Sequence, residues 1–451
     1  MAIFSIKRGL NIPIAGSAKG EPAPLSLPKT VAYDPREFTG IVPRLSARPG
    51  DKVKRGTPLF HSKDTPELKF LSPASGIVKE VQRGHRRVIT AMVVEVSGEE
   101  SESFPVWSSD DISSKSREEV KSALLSGGVW PSLRTRPLDQ IARPDVVPQA
   151  ILICGTETGP CQPGVDALLD AEAGKNLQAG IHALAKLTDG AVHLTSSVGS
   201  SHPAFSGLTG VQTHQFSGPH PAGDASVQIN HVQPPAGNGQ VWYISASDAA
   251  RVGELLLTGS FPNERVYAAV GEGVATPRLV RTLLGAPYAD VVGDVKSGEM
   301  RWIRGSVLTG TTISADSWGG YFSAAVHVLP TEVPRSLFGW AMPMFGTWSP
   351  HRAFLTGFFP GRKERNFRPG VYGGHRGLVP VGAYRKVIAT PDLHVEFLMR
   401  AMSAGDLAES ISLGLLDLTK EEAALCTYVC PSKIEMDVLL QQGLELYQKE
   451  A

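Results

Sequence analysis

Cysteine is scarce in this chain: four residues among 451. So few thiols build no disulfide framework, and they fit a reducing compartment. Net charge is missing too. Lys+Arg and Asp+Glu are equal at 44 each, so no global field favours nucleic acid. No uncharged apolar run reaches the roughly 18 residues that a membrane-spanning helix needs. The opening "MAIFSIKRGLNIPIAG" places Lys7 and Arg8 where the apolar core of a signal peptide would have to continue. The expectation is a protein made and kept in the cytoplasm, held by partners if it works at a membrane.

What is present is the material of an ordinary globular protein, 42% apolar and 20% charged. The length exceeds one core, so three or four domains are expected. Glycine and proline, 47 and 34 residues, point to many turns and modest helix. The fold class read from the chain is α/β multidomain. Residues 1–105 read as all-β. "RPGDKVKRGTPLF" (Arg48 to Phe60) and "LSPASGIVKEV" (Leu71 to Val81) supply two matching halves. Gly50 and Gly56 offer the positive φ that tight turns require. The layout is similar to the barrel-sandwich hybrid of biotinyl and lipoyl domains. Neither Met-Lys-Met nor Asp-Lys-Ala is present, so Lys63 and Lys69 read as solvated rather than modified.

Residues 106–150 read as a bridge. Ser116 and Glu119 make a capping box, and Gly127-Gly128 ends that helix. Trp130 with Arg134, Arg136 and Arg143 either lines a binding cleft or belongs to a basic surface linker, the linker being the plainer reading. The next stretch, to residue 258, reads as a Rossmann-like α/β domain. "AILICGTE" is a buried-type strand. Leu168, Leu169, Leu177, Ile181 and Leu184 keep helical spacing, and "GAVHLTSS" is a second strand. The intervening loop reads Gly155, Gly159, Gly164 rather than Gly-x-Gly-x-x-Gly, so the dinucleotide fingerprint is absent. His220, between Pro219 and Pro221, has the chemistry of an acid–base group. No carboxylate or thiol partner is near it in sequence, so it reads as structural.

Residues 259–335 read as a β-grasp module: a strand at "RVYAAV", a glycine turn, a helix begun by Pro277, then strands at "GSVLTGTT" and "AAVHVLP". Residues 336–451 combine a basic-aromatic segment with a helical C-terminal domain. From Arg352 to Lys386 there are eight Lys/Arg and one acid, Glu364. Trp340, Arg352, Phe354, Phe358, Phe359, Arg362, Lys363, Arg365 and Arg368 are the candidate residues for docking onto a partner or membrane. Further on, Thr419 and Glu422 form a capping box, and a helix runs to Cys426 and Cys430 before Pro431. Ser432 and Glu435 repeat the box ahead of a last helix through Leu439, Leu440, Leu444 and Leu446. A four-iron cluster needs a thiolate for each iron. Cys426 and Cys430 are a degenerate form of that motif and read as packed thiols.

These segments carry a resemblance. "LCTYVCPSK", the preceding "LMRAMSAGDLAES" and "GLVPVGAYRKV", and "FSGPHPAGD" (Phe216 to Asp224) resemble the NqrA family, the A subunits of sodium-translocating NADH:quinone reductases, over nearly the whole chain. "CGTETGPCQPG" resembles the flavin-binding segment of the NADH-oxidising subunit of complex I and of the Rnf C subunit, with the acidic pair reduced to Glu157. The resemblance implies a peripheral subunit on the cytoplasmic face of the bacterial inner membrane. It would belong to a complex that moves electrons from NADH to quinone and exports sodium. Its partners would be the other subunits, foremost the integral-membrane B subunit. Flavins and iron–sulfur centres would sit in those subunits. This chain would bind no redox cofactor of its own, with ubiquinone the possible contact. Two alternatives stay open: an electron-input flavin or iron–sulfur subunit of an Rnf-type complex, and a carrier-domain scaffold.

Overall fold

A computed structural model describes residues 2–170, 172–331, 337–338, 348–350, 364–366 and 382–450. The chain is a multidomain α/β protein with an N-terminal barrel-sandwich hybrid, a Rossmann-like domain, a β-grasp module and a helical C-terminal domain. The first two strands, β1 (Ala2–Ser5) and β2 (Ala23–Pro24), lie outside the barrel. The barrel comprises β3 (Thr30–Tyr33), β4 (Pro43–Leu45), β5 (Lys52–Val53), β6 (Pro58–Ser62), β7 (Lys69–Leu71), β8 (Gly76–Arg83) and β9 (Ile89–Val96). They form two sheets, ordered β3-β9-β8-β5 and β4-β6-β7. Phe60 stacks on Phe70 between them at 4.5 Å. Gly50 and Gly56 both take φ of +93°, as the turn reading required.

Helices α1 (Ser109–Ser114) and α2 (Arg117–Ser126) follow, and the Ser116/Glu119 box closes α2 at its start. Strand β10 (Arg134–Arg136) then enters the central sheet. With it stand β11 (Ala150–Cys154), β12 (Val192–Ser197), β13 (Gln212–Ser217) and β14 (Val241–Ser245). The connecting helices are α3 (Ala173–Leu187) and α4 (Ala225–Val232), and α5 (Ala246–Thr258) follows β14. The spatial order is β1-β13-β12-β11-β14-β10. All neighbours are parallel except β10, which runs antiparallel to β14. Ile151 and Ile153 of β11 face the core with α3 and α5, while Ala150, Leu152 and Cys154 face α4. A strand covered on both faces is apolar throughout, which is how "AILIC" reads. Helices α3 and α5 approach so closely that a Cβ on Gly253 would lie 1.8 Å from the Asn176 carbonyl oxygen.

The third sheet, ordered β18-β17-β19-β15-β16-β2, contains β15 (Glu264–Val270), β16 (Arg278–Leu283), β17 (Met300–Arg304), β18 (Thr311–Ile313) and β19 (Ala325–Pro330), with α6 (Tyr288–Val292) against it. The expected helix after Pro277 is strand β16. It pairs with β15 from Glu264↔Leu283 to Ala269↔Arg278, and its other edge takes β2. Ladder bonds on both edges and β-branched Val280 and Thr282 override the local helical pattern.

The C-terminal domain packs α7 (Ala383–Val387), α8 (Val395–Ala404), α9 (Leu407–Ser412), α10 (Lys420–Val429) and α11 (Met436–Glu450) around one core. The Thr419/Glu422 box starts α10. The Glu422 carboxylate also accepts from the Ala389 and Thr390 amides at 2.7 Å each. The second box does not form. Lys433 takes φ of +52°, and the chain turns so that the Met436 N–H donates to the Thr427 hydroxyl at 2.9 Å. Ser432 Oγ is buried with no partner among the described residues. Cys426 and Cys430 lie in the core, and the Tyr384 hydroxyl donates to Cys430 Sγ at 3.0 Å.

The N-terminal segment binds these parts together. Strand β1 extends the central sheet, and β2 extends the third. Between them, the Gly9 N–H donates to the Lys386 carbonyl, and the Gly271 N–H to the Gly16 carbonyl.

Two substitutions test this packing. Gly253→Ala forces α3 and α5 apart and is expected to destabilise by about 1–3 kcal/mol in chemical denaturation. Cys426→Ala with Cys430→Ala is expected to cost about 1–3 kcal/mol in the same experiment, and unchanged stability contradicts the packing role.

Candidate functional site

In an open α/β sheet, a crevice forms where the strand order reverses, outside the carboxyl ends of the strands. Here the reversal lies between β11 and β14. Their ends, Cys154 to Glu157 and Ser245 to Asp248, line a cavity of about 900 Å³. The third sheet contributes Arg265 and Arg304, the loop after β17 contributes Thr309, and α10 and α11 of the C-terminal domain form a further part of the wall.

One end of the cavity is built from arginines already matched to acids. Asp248, in the first turn of α5, takes Arg265 at 2.6 Å and Arg251 at 3.1 Å. Burial pushes its carboxyl up, but the two guanidinium charges and the Ser245 hydroxyl outweigh this and hold it below the usual range. Arg304 bridges Asp34 and Glu37 at 3.1 and 3.0 Å. Arg134 pairs with Asp139 at 2.8 Å and lies over the Phe322 ring.

The other end is centred on His220. Its Nε2 lies 3.3 Å from Glu421 Oε2, and its Nδ1 lies 3.3 Å from the Thr158 hydroxyl. The Thr309 hydroxyl donates to the second oxygen of Glu421. His220 is anchored through its backbone as well. Its N–H donates to Asn11 Oδ1 at 2.9 Å, and its carbonyl accepts from the Leu10 N–H at 2.7 Å. Burial pulls the imidazole pKa down. The hydrogen bond and charge of Glu421, with the charges of Glu157 and Asp224, more than reverse that and leave it raised. Burial raises Glu421, yet His220, Thr309 and Ser306 leave it lowered.

Sequence-predicted residues divide accordingly. Arg134 and Arg136 stand in the cavity wall, so the cleft reading holds for them and the linker reading does not. Arg136 donates to the Leu416 and Leu418 carbonyls ahead of α10. Trp130 is a core residue, and Arg143 is an exposed partner of Asp145. His220, read as lacking a partner, has Glu421 beside it, 201 positions away in sequence. Glu421 and Thr309 were missed; the one available signal was an acid in the first turn of a well-capped helix. Of the docking candidates, Trp340, Arg352, Phe354, Phe358, Phe359, Arg362, Lys363 and Arg368 lie outside the described residues. Arg365 is described. Its N–H donates to the Pro13 carbonyl at 2.7 Å, and its carbonyl accepts from the Ala15 N–H at 2.8 Å. Cys426 and Cys430 are enclosed away from the cavity, and burial raises the Cys426 thiol.

Two amides of the loop after β11 are taken by the chain's own carboxylate. The Glu157 carboxylate accepts from the Thr158 and Gly159 N–H groups at 2.7 and 2.6 Å. Those amides are the type of donor that a phosphate-binding loop turns to its ligand. Among the described residues no group of three or more His, Cys, Asp or Glu is placed to hold a metal ion.

Three family models match the chain: the NqrA N-terminal barrel-sandwich hybrid domain over residues 4–97, the NqrA second alpha/beta domain over 115–261 and the NQRA C-terminal domain over 266–315. Among curated proteins, the A subunit of the Na(+)-translocating NADH-quinone reductase of Klebsiella pneumoniae (strain 342) is 38% identical over 453 residues, covering 99% of this chain and 100% of that one. The corresponding proteins of Histophilus somni (strain 2336) and Vibrio atlanticus (strain LGP32), which bear the same name, are 35% and 37% identical with the same coverage.

The arginine end yields a test. Asp248→Asn leaves two buried guanidinium groups short of an anion and is expected to cost about 3–5 kcal/mol. A carboxyl with a depressed folded pKa contributes stability above its unfolded pKa and loses it as pH falls through the folded value. The gap between wild type and variant, measured by denaturant melts, is therefore constant near neutrality and closes only below the ordinary aspartate value of 3.8.

Proposed function

The chain belongs to the NqrA family, the A subunits of Na(+)-translocating NADH-quinone reductases, and from that premise we propose that it is the peripheral, cytoplasmic-face subunit of such a complex. In this reading the assembly passes electrons from NADH to quinone and exports sodium, and this chain takes part without a redox centre of its own. The observation that carries the proposal is the extent of the similarity. Relatives bearing that name align over 99% of this chain and all of their own length.

Two features of the site support the division of labour. The amides after β11 are engaged by Glu157, and Arg134, Arg251, Arg265 and Arg304 of the cavity are paired with carboxylates of the chain, while Arg136 is held by backbone carbonyls. Flavins and iron–sulfur centres then belong to other subunits, and ubiquinone is the one small molecule of the reaction that this reading allows at the chain. No helix among the described residues is long and apolar enough to cross a membrane. Attachment falls to protein contacts, foremost with the integral-membrane B subunit. The basic-aromatic segment supplies the residue types that anchor interfaces.

The cofactor half of the proposal is tested on chain purified without oxygen: a visible spectrum free of flavin bands and iron below stoichiometry are expected. A bound flavin or one iron cluster per chain contradicts it. The docking half is tested by reversing charge at Arg362, Lys363 and Arg365 together with Phe358→Ala and Phe359→Ala. The variant is expected to lose its membrane subunits in high salt, and full retention contradicts the assignment.

A further inference from the structure

His220 is the point where four parts of the chain touch. It stands on the loop between β13 and α4, against Thr158 after β11, Asn11 of the N-terminal segment and Glu421 of α10. Glu421 reaches on to Thr309, between β17 and β18. Its side chain is 16% exposed and that of His220 only 4%. A charge removed from water to this degree is stable when paired and hydrogen-bonded, and costly once its partner is neutralised. Both residues also line the cavity, so whatever loosens them loosens the cavity wall.

We propose that the His220–Glu421 contact is a proton-controlled latch, closing the start of α10 against the Rossmann-like domain while the imidazole is protonated and releasing it when the proton leaves. The surroundings favour the closed form. From α10 the facing charge is Glu421 itself; from the loop after β11 it is Glu157; from the histidine's own loop it is Asp224. All three are acids. The counter-charge from β10, Arg136, acts on Asp224. The N-terminal segment presents the neutral Asn11. The third sheet with its loop after β17 presents Ser306, Thr309 and one titratable group, His327, which feels the charge of Glu421 but is held below the ordinary histidine value by burial. The first turn of α10 adds the positive end of a helix beneath Glu421 and keeps that carboxylate ionised.

The sign follows from the two groups. The raised imidazole contributes fully below the ordinary histidine value of 6.5, and its contribution is lost as pH rises through the higher folded value. The lowered Glu421 contributes above the ordinary 4.5, and its contribution is lost as pH falls through the depressed value. The latch is therefore closed between the ordinary carboxyl value of 4.5 and the ordinary histidine value of 6.5, and it opens as pH rises through the histidine's higher folded value. One neighbouring contact keeps opening local. Glu422, the next residue, holds the Ala389 and Thr390 amides and does not touch His220, so the C-terminal core stays packed.

The test is amide hydrogen exchange of the full-length chain from about pH 6 to about pH 9, corrected for intrinsic base catalysis. Peptides covering the first turn of α10 and Ser306 to Thr309 are expected to lose protection along a single-proton curve. The loss is about tenfold for each unit by which the histidine is raised. Glu421→Gln and His220→Gln are expected to show low protection without that curve, while α8 and the second half of α10 keep theirs. Flat protection in wild type, or a wild-type curve in Glu421→Gln, overturns the proposal. If the variants do not fold, exchange of the imidazole C–H in the wild-type chain reports the titration of His220 alone. A midpoint above 6.5 supports the latch and one below it overturns it.

Discussion

The contact between His220 and Glu421 is the constraint that the site depends on. It joins residues 201 positions apart, from two domains, in a place nearly closed to water. Neither charge is tolerable there alone, so the pair forces the loop after β13 and the start of α10 to arrive together. The N-terminal segment must arrive as well, because the N–H and carbonyl of His220 are taken by Asn11 and Leu10. Glu422, one residue on, fixes the other side of α10 to the amides after α7. The first turn of α10 is thus held from two directions by adjacent carboxylates with different partners.

That arrangement sets α10 and α11 in the wall of the crevice. The crevice between β11 and β14 is where a doubly wound sheet ordinarily receives its ligand. In this chain its amide donors face Glu157, and its guanidinium groups face Asp34, Glu37, Asp139 and Asp248. Most of the polar groups that line the crevice pair with one another, although Arg251 Nε and Arg265 Nε are buried with no partner among the described residues. Pairing of this kind stiffens an interface between domains.

Much of the fold was legible because its signals are local. The Ser116/Glu119 and Thr419/Glu422 boxes, the turns at Gly50 and Gly56 and the buried strand at Ala150 each depend on a few neighbouring residues. The failures depend on residues far away. Arg278 to Leu283 is a strand because β15 and β2 flank it, and within the segment only β-branched Val280 and Thr282 point that way. Ser432 starts no helix because Lys433 turns left-handed and Thr427 takes the Met436 amide. Strands β1 and β2 serve sheets made more than a hundred residues later. The site suffered most. His220 was visible, but its partner was not, since sequence distance hides a pair that only the closed fold brings together.

The functional account stands or falls on whether the chain resides in a membrane redox complex. The direct measurement is to isolate the unaltered chain from its own cells, solubilised from membranes under mild detergent, and identify what comes with it. The account predicts that the remaining subunits of the NADH-quinone reductase co-purify at fixed ratio, with sodium-stimulated quinone reduction by NADH in the same fraction. Recovery of the chain alone, from the soluble fraction and without that activity, would contradict it.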